Sequence, residues 1–452
     1  MRYDACIIGA GADGLAAAAV LAARGRSVMV IERDSRCGGR CATREFHPGF
    51  RASPFVDELP AIPDDIFRAL DLARRGAIHW QPSAASPEEP YRSLRRAVIA
   101  RAMAEAQTPP VRRRFRRPTI DPWPGEELAR LSLAQIGAQP PLGYVGERER
   151  SAVLLLAGPG GGMVAGGLGR LGEALRMAAQ EAGAEITCGL EATDIRRFDG
   201  RVAGVALADG TEVAARAVIS TLDLKRTFLS LFSWNELPAA LVERAGAFRA
   251  APGTARLLVA LAAPPPLPAG VAPGAVLWSA SWEAVEEAYR AWRRGAVPER
   301  PVALLRLVSA CDPSLAPDGA AVLTVTLGGI PLAPFDGAWT NEKREGLREQ
   351  ALAAVEALLP GARERVVASE LLVPPDIEER LGLSAGDLSG GDLAADQMLA
   401  FRPFTDCAGT RTPVKGLYLA GPSSALAPLA ACAGGVAAAR AVLSDLAAGR
   451  LR

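Results

Sequence analysis

Residues 1–32 of the chain read MRYDACIIGAGADGLAAAAVLAARGRSVMVIE. Ala5 to Ile8 is a short apolar run of strand type, broken by Gly9, Gly11 and Gly14 in G-x-G-x-x-G spacing. Leu15 to Arg24 is Ala-rich and carries no helix breaker before Gly25. Ser27 to Ile31 is a second apolar run, and Glu32 sits at its end. Strand, glycine turn, helix and strand in this order form a βαβ unit with a dinucleotide fingerprint. One glycine permits the turn, one lets a pyrophosphate approach the backbone, and one lets helix and strand pack closely. The helix N-terminus presents free N–H groups and partial positive charge to phosphates. Glu32 follows Gly14 by 18 residues, near the ~20-residue offset at which a carboxylate accepts ribose hydroxyls. The fingerprint implies a dinucleotide and leaves FAD and NAD unseparated.

The 452-residue length allows one large domain or two closely joined ones. With 49% hydrophobic residues and a formal net charge of +1, the chain is no general nucleic-acid binder. The seven cysteines are scattered, odd in number and without a C-x-x-C pair, so neither a zinc site nor a disulfide framework is expected. His47 and His79 are the only histidines. They make no His-rich metal site, and no nucleophile elbow is readable. No charged-then-apolar leader precedes the first strand, and no apolar run reaches the ~18–20 residues of a membrane span. A cytoplasmic location is the expectation.

Further along, helical patterns run from Asp64 to Arg75, Leu168 to Ala182, Trp282 to Arg294, Asn341 to Leu359 and Ala431 to Leu446. Strands are expected at Glu185–Cys188, Asp194–Phe198, Val202–Ala208, Ala217–Ser220, Arg256–Ala260, Val302–Val308, Ala321–Leu327 and Gly416–Ala420. Asp199-Gly200 and Asp209-Gly210 are hairpin signals. Residues 81–150 alternate Pro-rich pieces with arginines, among them Arg112, Arg113, Arg114, Arg116 and Arg117. Val98, Ile99 and Met103 mark one face of an amphipathic helix near 92–106. Two readings stay open for Arg112–Arg117. One is a solvated basic face or lid. The other is a docking surface for anionic lipid headgroups or an acidic protein partner, which makes the protein peripheral at a membrane. RNA is disfavoured, because Phe115 is the only aromatic residue inside the run.

Four blocks carry a family likeness. They are GAGADGL with Glu32 and CGGR; GGLGRLGEAL (166–175) with the strands up to Ser220; LDLKRTFLSL (222–231); and SGGDLAADQMLAFRPF with RTPVKGLYLAG and the last helix. The chain resembles the phytoene desaturase and amine oxidase superfamily of flavin-dependent oxidoreductases, and within it the phytoene-dehydrogenase-related branch. The resemblance implies an α/β fold with FAD as cofactor. A Rossmann-like FAD-binding domain of glutathione-reductase type is assembled from residues 1–75, 155–224 and 396–452. A sheet-plus-helices substrate or partner domain takes 76–154 and 225–395. Gly9, Gly11 and Gly14 then hold the pyrophosphate, Glu32 the adenosine ribose, and Gly39 and Arg40 lie along the phosphate–flavin side. Ile186–Glu191 passes the adenine end. Gly421, Cys432, Gly435 and Val436 approach the flavin end, where a helix N-terminus stabilises negative charge on the reduced ring.

The likeness has departures. Gly391 stands where the branch has a histidine, LAPLA (426–430) replaces a glycine-rich turn, and Cys432 replaces a glycine. No catalytic residue is named; Lys225 and Lys415 lie near strand ends, where many amine oxidases carry a lysine near the flavin. The implied function is FAD-dependent chemistry on C–C bonds of a small apolar, isoprenoid-like substrate, by desaturation, isomerisation or saturation. The alternatives are a flavin-binding partner or maturation protein with altered or lost catalysis, and an amine or amino-acid oxidase in which Arg40 or Arg402 binds a carboxylate.

Overall fold

The computed structural model of the protein describes residues 2–60, 62–77, 79–80, 163–233, 235–250, 253–271, 273–274, 276–278, 282–392, 397, 402–404, 407, 409–424 and 430–451. The expected helix near 92–106, Arg112–Arg117 and residues 426–429 lie outside them. In chain order the elements are β1 (Arg2–Ile8), α1 (Ala12–Ala22), β2 (Val28–Glu32), β3 (Arg44–His47), β4 (Phe50–Ala52), α2 (Asp64–Ala69), β5 (His79–Trp80) and β6 (Met163–Val164). Then come α3 (Gly169–Glu181), β7 (Glu185–Cys188), β8 (Ala192–Phe198), β9 (Arg201–Leu207), β10 (Glu212–Ser220), α4 (Ala239–Ala247), β11 (Thr254–Leu261), β12 (Val276–Trp278) and α5 (Trp282–Arg293). The last are β13 (Val302–Leu307), β14 (Ala321–Gly328), α6 (Asn341–Leu358), β15 (Val366–Leu372), α7 (Pro374–Leu381), β16 (Leu417–Leu419) and α8 (Ala433–Ala447). Among the described residues no helix is long and apolar enough to cross a membrane.

The first sheet runs β7-β2-β1-β10-β9-β8, with β16 also paired to β10. β7, β2, β1, β10 and β16 are parallel, and β8 and β9 fold back as an antiparallel meander. A parallel core needs cover on both faces, and alternate residues of β1 supply it. Ala5 and Ile7 pack under α1, α3 and α8, while Cys6 and Ile8 pack on the other side with Leu224, Phe228, Leu241 and Phe248. The alanines of α1 are small enough to bring its backbone onto the sheet, and Ala16 to Ala19 are all buried.

Two expected helix bounds shift for local reasons. α1 starts at Ala12, so the third fingerprint glycine lies inside its first turn. α2 stops at Ala69 rather than Arg75, and Asp71 then adopts φ +46. The edge strand β15 and helix α7 were not anticipated: β15 is largely half-exposed and has no clean alternation.

The second sheet is β12-β13-β14-β11-β15, antiparallel throughout. In β11, β13 and β14 alternate residues face opposite sides of the sheet. Ala255, Leu257, Val259 and Leu261 of β11 face α6, where they meet Leu347, Ala351, Leu352 and Val355. The opposite face carries Leu258, Ala260 and Val322 against Phe50, Ala52 and Met163. Arg256 and Arg306 stand on that face too, each at most 4% exposed. Asp57 accepts from both terminal nitrogens of Arg256 at 2.6 and 3.1 Å, and Glu58 accepts from Arg306 at 2.8 Å. These bonds tie the loop after β4 to the second sheet.

Candidate functional site

A cavity of about 360 Å³ opens at the carboxyl ends of β1 and β2. That is where open α/β sheets bind ligands. Its floor is the turn from β1 into α1. Gly9 has φ +97, a conformation that favours glycine. A Cβ on Gly14 would lie 2.0 Å from the Gly9 carbonyl oxygen, so the helix approaches the strand this closely only with glycine there. A Cβ on Gly11 would meet nothing within 4 Å, which leaves the backbone at the N-cap of α1 open to the cavity. Across from it, a Cβ on Gly39 would come within 3.3 Å of the Gly11 Cα. Two bare backbones thus face each other beside a helix N-terminus, a cradle that fits a diphosphate.

Glu32 closes one end. Its Oε2 accepts the Ala10 N–H at 2.7 Å and its Oε1 the Asp34 N–H at 2.8 Å. Each oxygen keeps a further lone pair for a hydroxyl. Burial raises the Glu32 pKa above the ordinary carboxylate value, against the two backbone N–H groups that favour the anion. Beyond it, Arg226 donates to Glu191 at 3.2 Å, and Arg33 donates to the carbonyls of Glu379 and Arg380 at 2.8 and 3.0 Å. On the other side Arg40 lines the wall and donates to the Leu388 carbonyl at 2.5 Å.

Asp13 is the acid that the fingerprint reading passed over. It lines the cavity from the first turn of α1, and its Oδ1 accepts the Gly435 N–H at 2.9 Å. Burial pushes its carboxyl up to about 6, against the N–H groups of Gly435 and Gly434 and the charge of Arg40. The only sequence signal for it was a charged residue inside the glycine motif. Thr221, also passed over, donates from its hydroxyl to the Ile8 carbonyl at 2.8 Å and packs under Gly9.

The structure gathers Gly9, Gly11, Glu32, Gly39, Arg40 and Gly421 around the cavity. Gly14 supports the floor from behind. Cys432, Gly435 and Val436 do not line this cavity; they are buried where the first turn of α8 meets α1. A Cβ on Gly435 would sit 1.9 Å from the Asp13 carbonyl oxygen, so α8 ends against the backbone of α1. Cys432 is the N-cap of α8 and holds φ +65. Gly391 has φ +125, and a Cβ there would lie 2.3 Å from the Phe248 ring, so no histidine fits.

Arg402 does not offer itself to a ligand. It is fully buried, and its nitrogens donate to the carbonyls of Gly390, Pro422 and Ser424 at 2.7, 3.1 and 3.2 Å. It fastens loops together. His47 lies 5.6 Å from Phe50, ring to ring, and His79 pairs with Val164. Lys225 follows the turn organised by Asp223, whose carboxylate accepts its N–H at 2.8 Å, and the Lys415 carbonyl accepts the Val202 N–H. Neither lysine lines the cavity.

Pyridine nucleotide-disulfide oxidoreductase domain-containing protein 2 of Rattus norvegicus is 27% identical over 93% of this chain and 90% of its own length. The 4,4'-diaponeurosporene oxygenase of Staphylococcus haemolyticus is 25% identical over 50% of this chain and 44% of its own. Cyclohexylamine oxidase from Brevibacterium oxydans shares the fold over 100% of both chains, with a TM-score of 0.56 at 17% identity. The kinship with the phytoene desaturase and amine oxidase superfamily therefore holds. A family model described as FAD dependent oxidoreductase matches residues 4–242. With more than half its length so matched, the chain belongs to the FAD dependent oxidoreductase family, and its cofactor is FAD.

Proposed function

We propose that the protein is an oxidoreductase that uses FAD to desaturate, isomerise or saturate C–C bonds of an apolar, isoprenoid-type substrate. The observation that carries the reading is the cavity itself, with its bare-backbone floor and Glu32 at one end. In this reading the turn Gly9–Gly14 and the α1 N-terminus hold the diphosphate, and Glu32 holds the adenosine ribose. Arg40 and Gly39 flank the path toward the flavin, and Gly421 borders it. FAD supplies hydride acceptance or donation. The chain binds it, orients it and positions the substrate. The apolar substrate is supported by the likeness to a diaponeurosporene oxygenase over half the chain. The second sheet belongs to the unit that receives that substrate. The amino-acid oxidase alternative loses one of its anchors, since Arg402 is engaged by backbone carbonyls.

The test is spectroscopic. The purified protein should carry an oxidised-flavin spectrum, and the flavin should bleach anaerobically with an isoprenoid donor in detergent micelles. Bleaching by amines with peroxide release, and none by isoprenoids, moves the reading to an amine oxidase. A colourless protein that takes up no added FAD overturns it altogether.

One observation favours a second reading, a flavin-binding partner or maturation protein with altered catalysis. Cys432 puts a side chain at a left-handed backbone position where the resemblance expects glycine. This reading predicts bound FAD that no organic donor bleaches.

A further inference from the structure

The geometry points to a thiol modification site at Cys37 and Cys188. The pair takes up a small disulfide of the glutathione class by thiol–disulfide exchange, then closes into an internal disulfide that clamps the rim of the FAD cavity. Cys37 lies in the loop between β2 and Gly38, and Cys188 is the last residue of β7. Their sulfurs are 3.6 Å apart. Closing to the ~2.05 Å of an S–S bond asks for a side-chain shift of about 1.5 Å. The backbone already holds the two rims together. Glu32 pairs with Cys188 across the parallel strands, and Gly189 and Leu190 donate their N–H groups to the carbonyls of Asp34 and Glu32 at 2.9 and 3.0 Å. Both cysteines are partly exposed, whereas Cys6, Cys41, Cys311, Cys407 and Cys432 are buried. An oxidant in solution therefore meets this pair first.

Burial pushes the Cys37 thiol up to about 12, with Cys188 and Glu32 adding to the effect, while Arg176 opposes it. The thiolate of one cysteine of the pair attacks one sulfur of the small disulfide and expels a reduced thiol. The other cysteine, giving its proton to solvent, then attacks the sulfur of the first and expels the second thiol. Two cysteine thiols are oxidised and one small disulfide is reduced to two thiols. The Arg176 charge interacts with both cysteines.

Gly38, Gly39 and Arg40 follow Cys37, and Glu191, Ala192 and Thr193 follow Cys188; all six line the cavity. A covalent bond between these rims opposes the opening that cofactor release needs. This last step rests on the FAD reading of the cavity, and the covalent step does not.

The experiment incubates the purified holoprotein with glutathione disulfide. The expected product loses two hydrogens in intact mass, retains no glutathione, and gives a peptide joining residues 37 and 188 in a non-reducing digest. Cys37→Ser and Cys188→Ser each abolish that peptide. Release of FAD on dilution, followed by recovered flavin fluorescence, is expected to be several-fold slower in the oxidised wild type than in the reduced one. It should not respond to the oxidant in Cys37→Ser. A stable glutathione adduct without the internal bond overturns the proposal, as does an internal bond that leaves the release rate unchanged. Failure to bind FAD at all counts against the cavity reading, and the mass and peptide readouts separate that case.

Discussion

Asp13 shows how one side chain changes the character of a familiar motif. It sits in the first turn of α1 with its carboxylate on the first amides of α8, between two helix N-termini that favour an anion. Burial wins nevertheless and raises its pKa from 3.8 to about 6. The folded protein therefore binds this proton more tightly than the unfolded chain. The associated stability is complete below about pH 4 and is lost as the pH rises through about 6. Asp13→Asn keeps an oxygen for the Gly435 N–H and removes the titration. The variant apoprotein is expected to be more stable than wild type at pH 7.5, by about 1–3 kcal/mol, with the gain shrinking toward pH 4. Urea unfolding across that range measures it, and a pH-independent difference would sink the assignment. The sequence displayed this aspartate openly. Its effect depends on α8 arriving from more than four hundred residues away, which no local pattern encodes.

At the scale of elements, α8 and β16 are joined by one buried carboxylate. Asp445 accepts from the Tyr418 hydroxyl at 2.7 Å, from Arg411 at 2.8 and 3.0 Å, and from Arg450 at 2.8 Å. Burial opposes its ionisation, and the hydrogen bonds from Arg411, Tyr418 and Arg450 outweigh it, so its pKa lies below the ordinary value. Asp445→Ala leaves the Tyr418 hydroxyl buried without this acceptor and should cost about 2 kcal/mol. Tyr418→Phe in the same background should recover part of that loss, as read by denaturant midpoints. The contribution of Asp445 is present above its unfolded pKa and is lost as the pH falls, opposite in sign to that of Asp13. Helix α8 was legible as an uninterrupted small-residue run, and β16 as an apolar run before Gly421. The direction of α8 was not legible. Its docking on α1 brings Gly435 against the Asp13 backbone and buries Cys432, Gly435 and Val436.

At the scale of the whole molecule, two buried ion pairs join the loop after β4 to the second sheet. Burial opposes ionisation of Asp57, and the charges of Arg256 and Arg306 with hydrogen bonds from Arg256 and Thr324 outweigh it, so its pKa lies below the usual range. Arg256→Met leaves that carboxylate buried without its bidentate partner. The expected loss is about 3–5 kcal/mol, with the second sheet separating as an earlier unfolding transition in calorimetry. Asp57→Asn on the same background should restore much of it. A single unshifted transition would show that the pair holds nothing together.

The sequence by itself determined the first βαβ unit, FAD as the cofactor through family likeness, and the strands of the two sheets other than β12 and β15. Those features are local: a glycine turn, an apolar run and a hairpin signal each act within a few residues of themselves. Arg256 and Arg306 were visible as lone charges in apolar strands, yet their partners Asp57 and Glu58 lie 199 and 248 residues upstream. Tertiary structure alone decided those pairs, the role of Arg402 as a loop fastener, the 3.6 Å approach of Cys37 to Cys188, and the burial that lifts the pKa of Asp13. Each depends on distances between segments that share no sequence neighbourhood, and such distances are fixed only when the packed sheets bring those segments together.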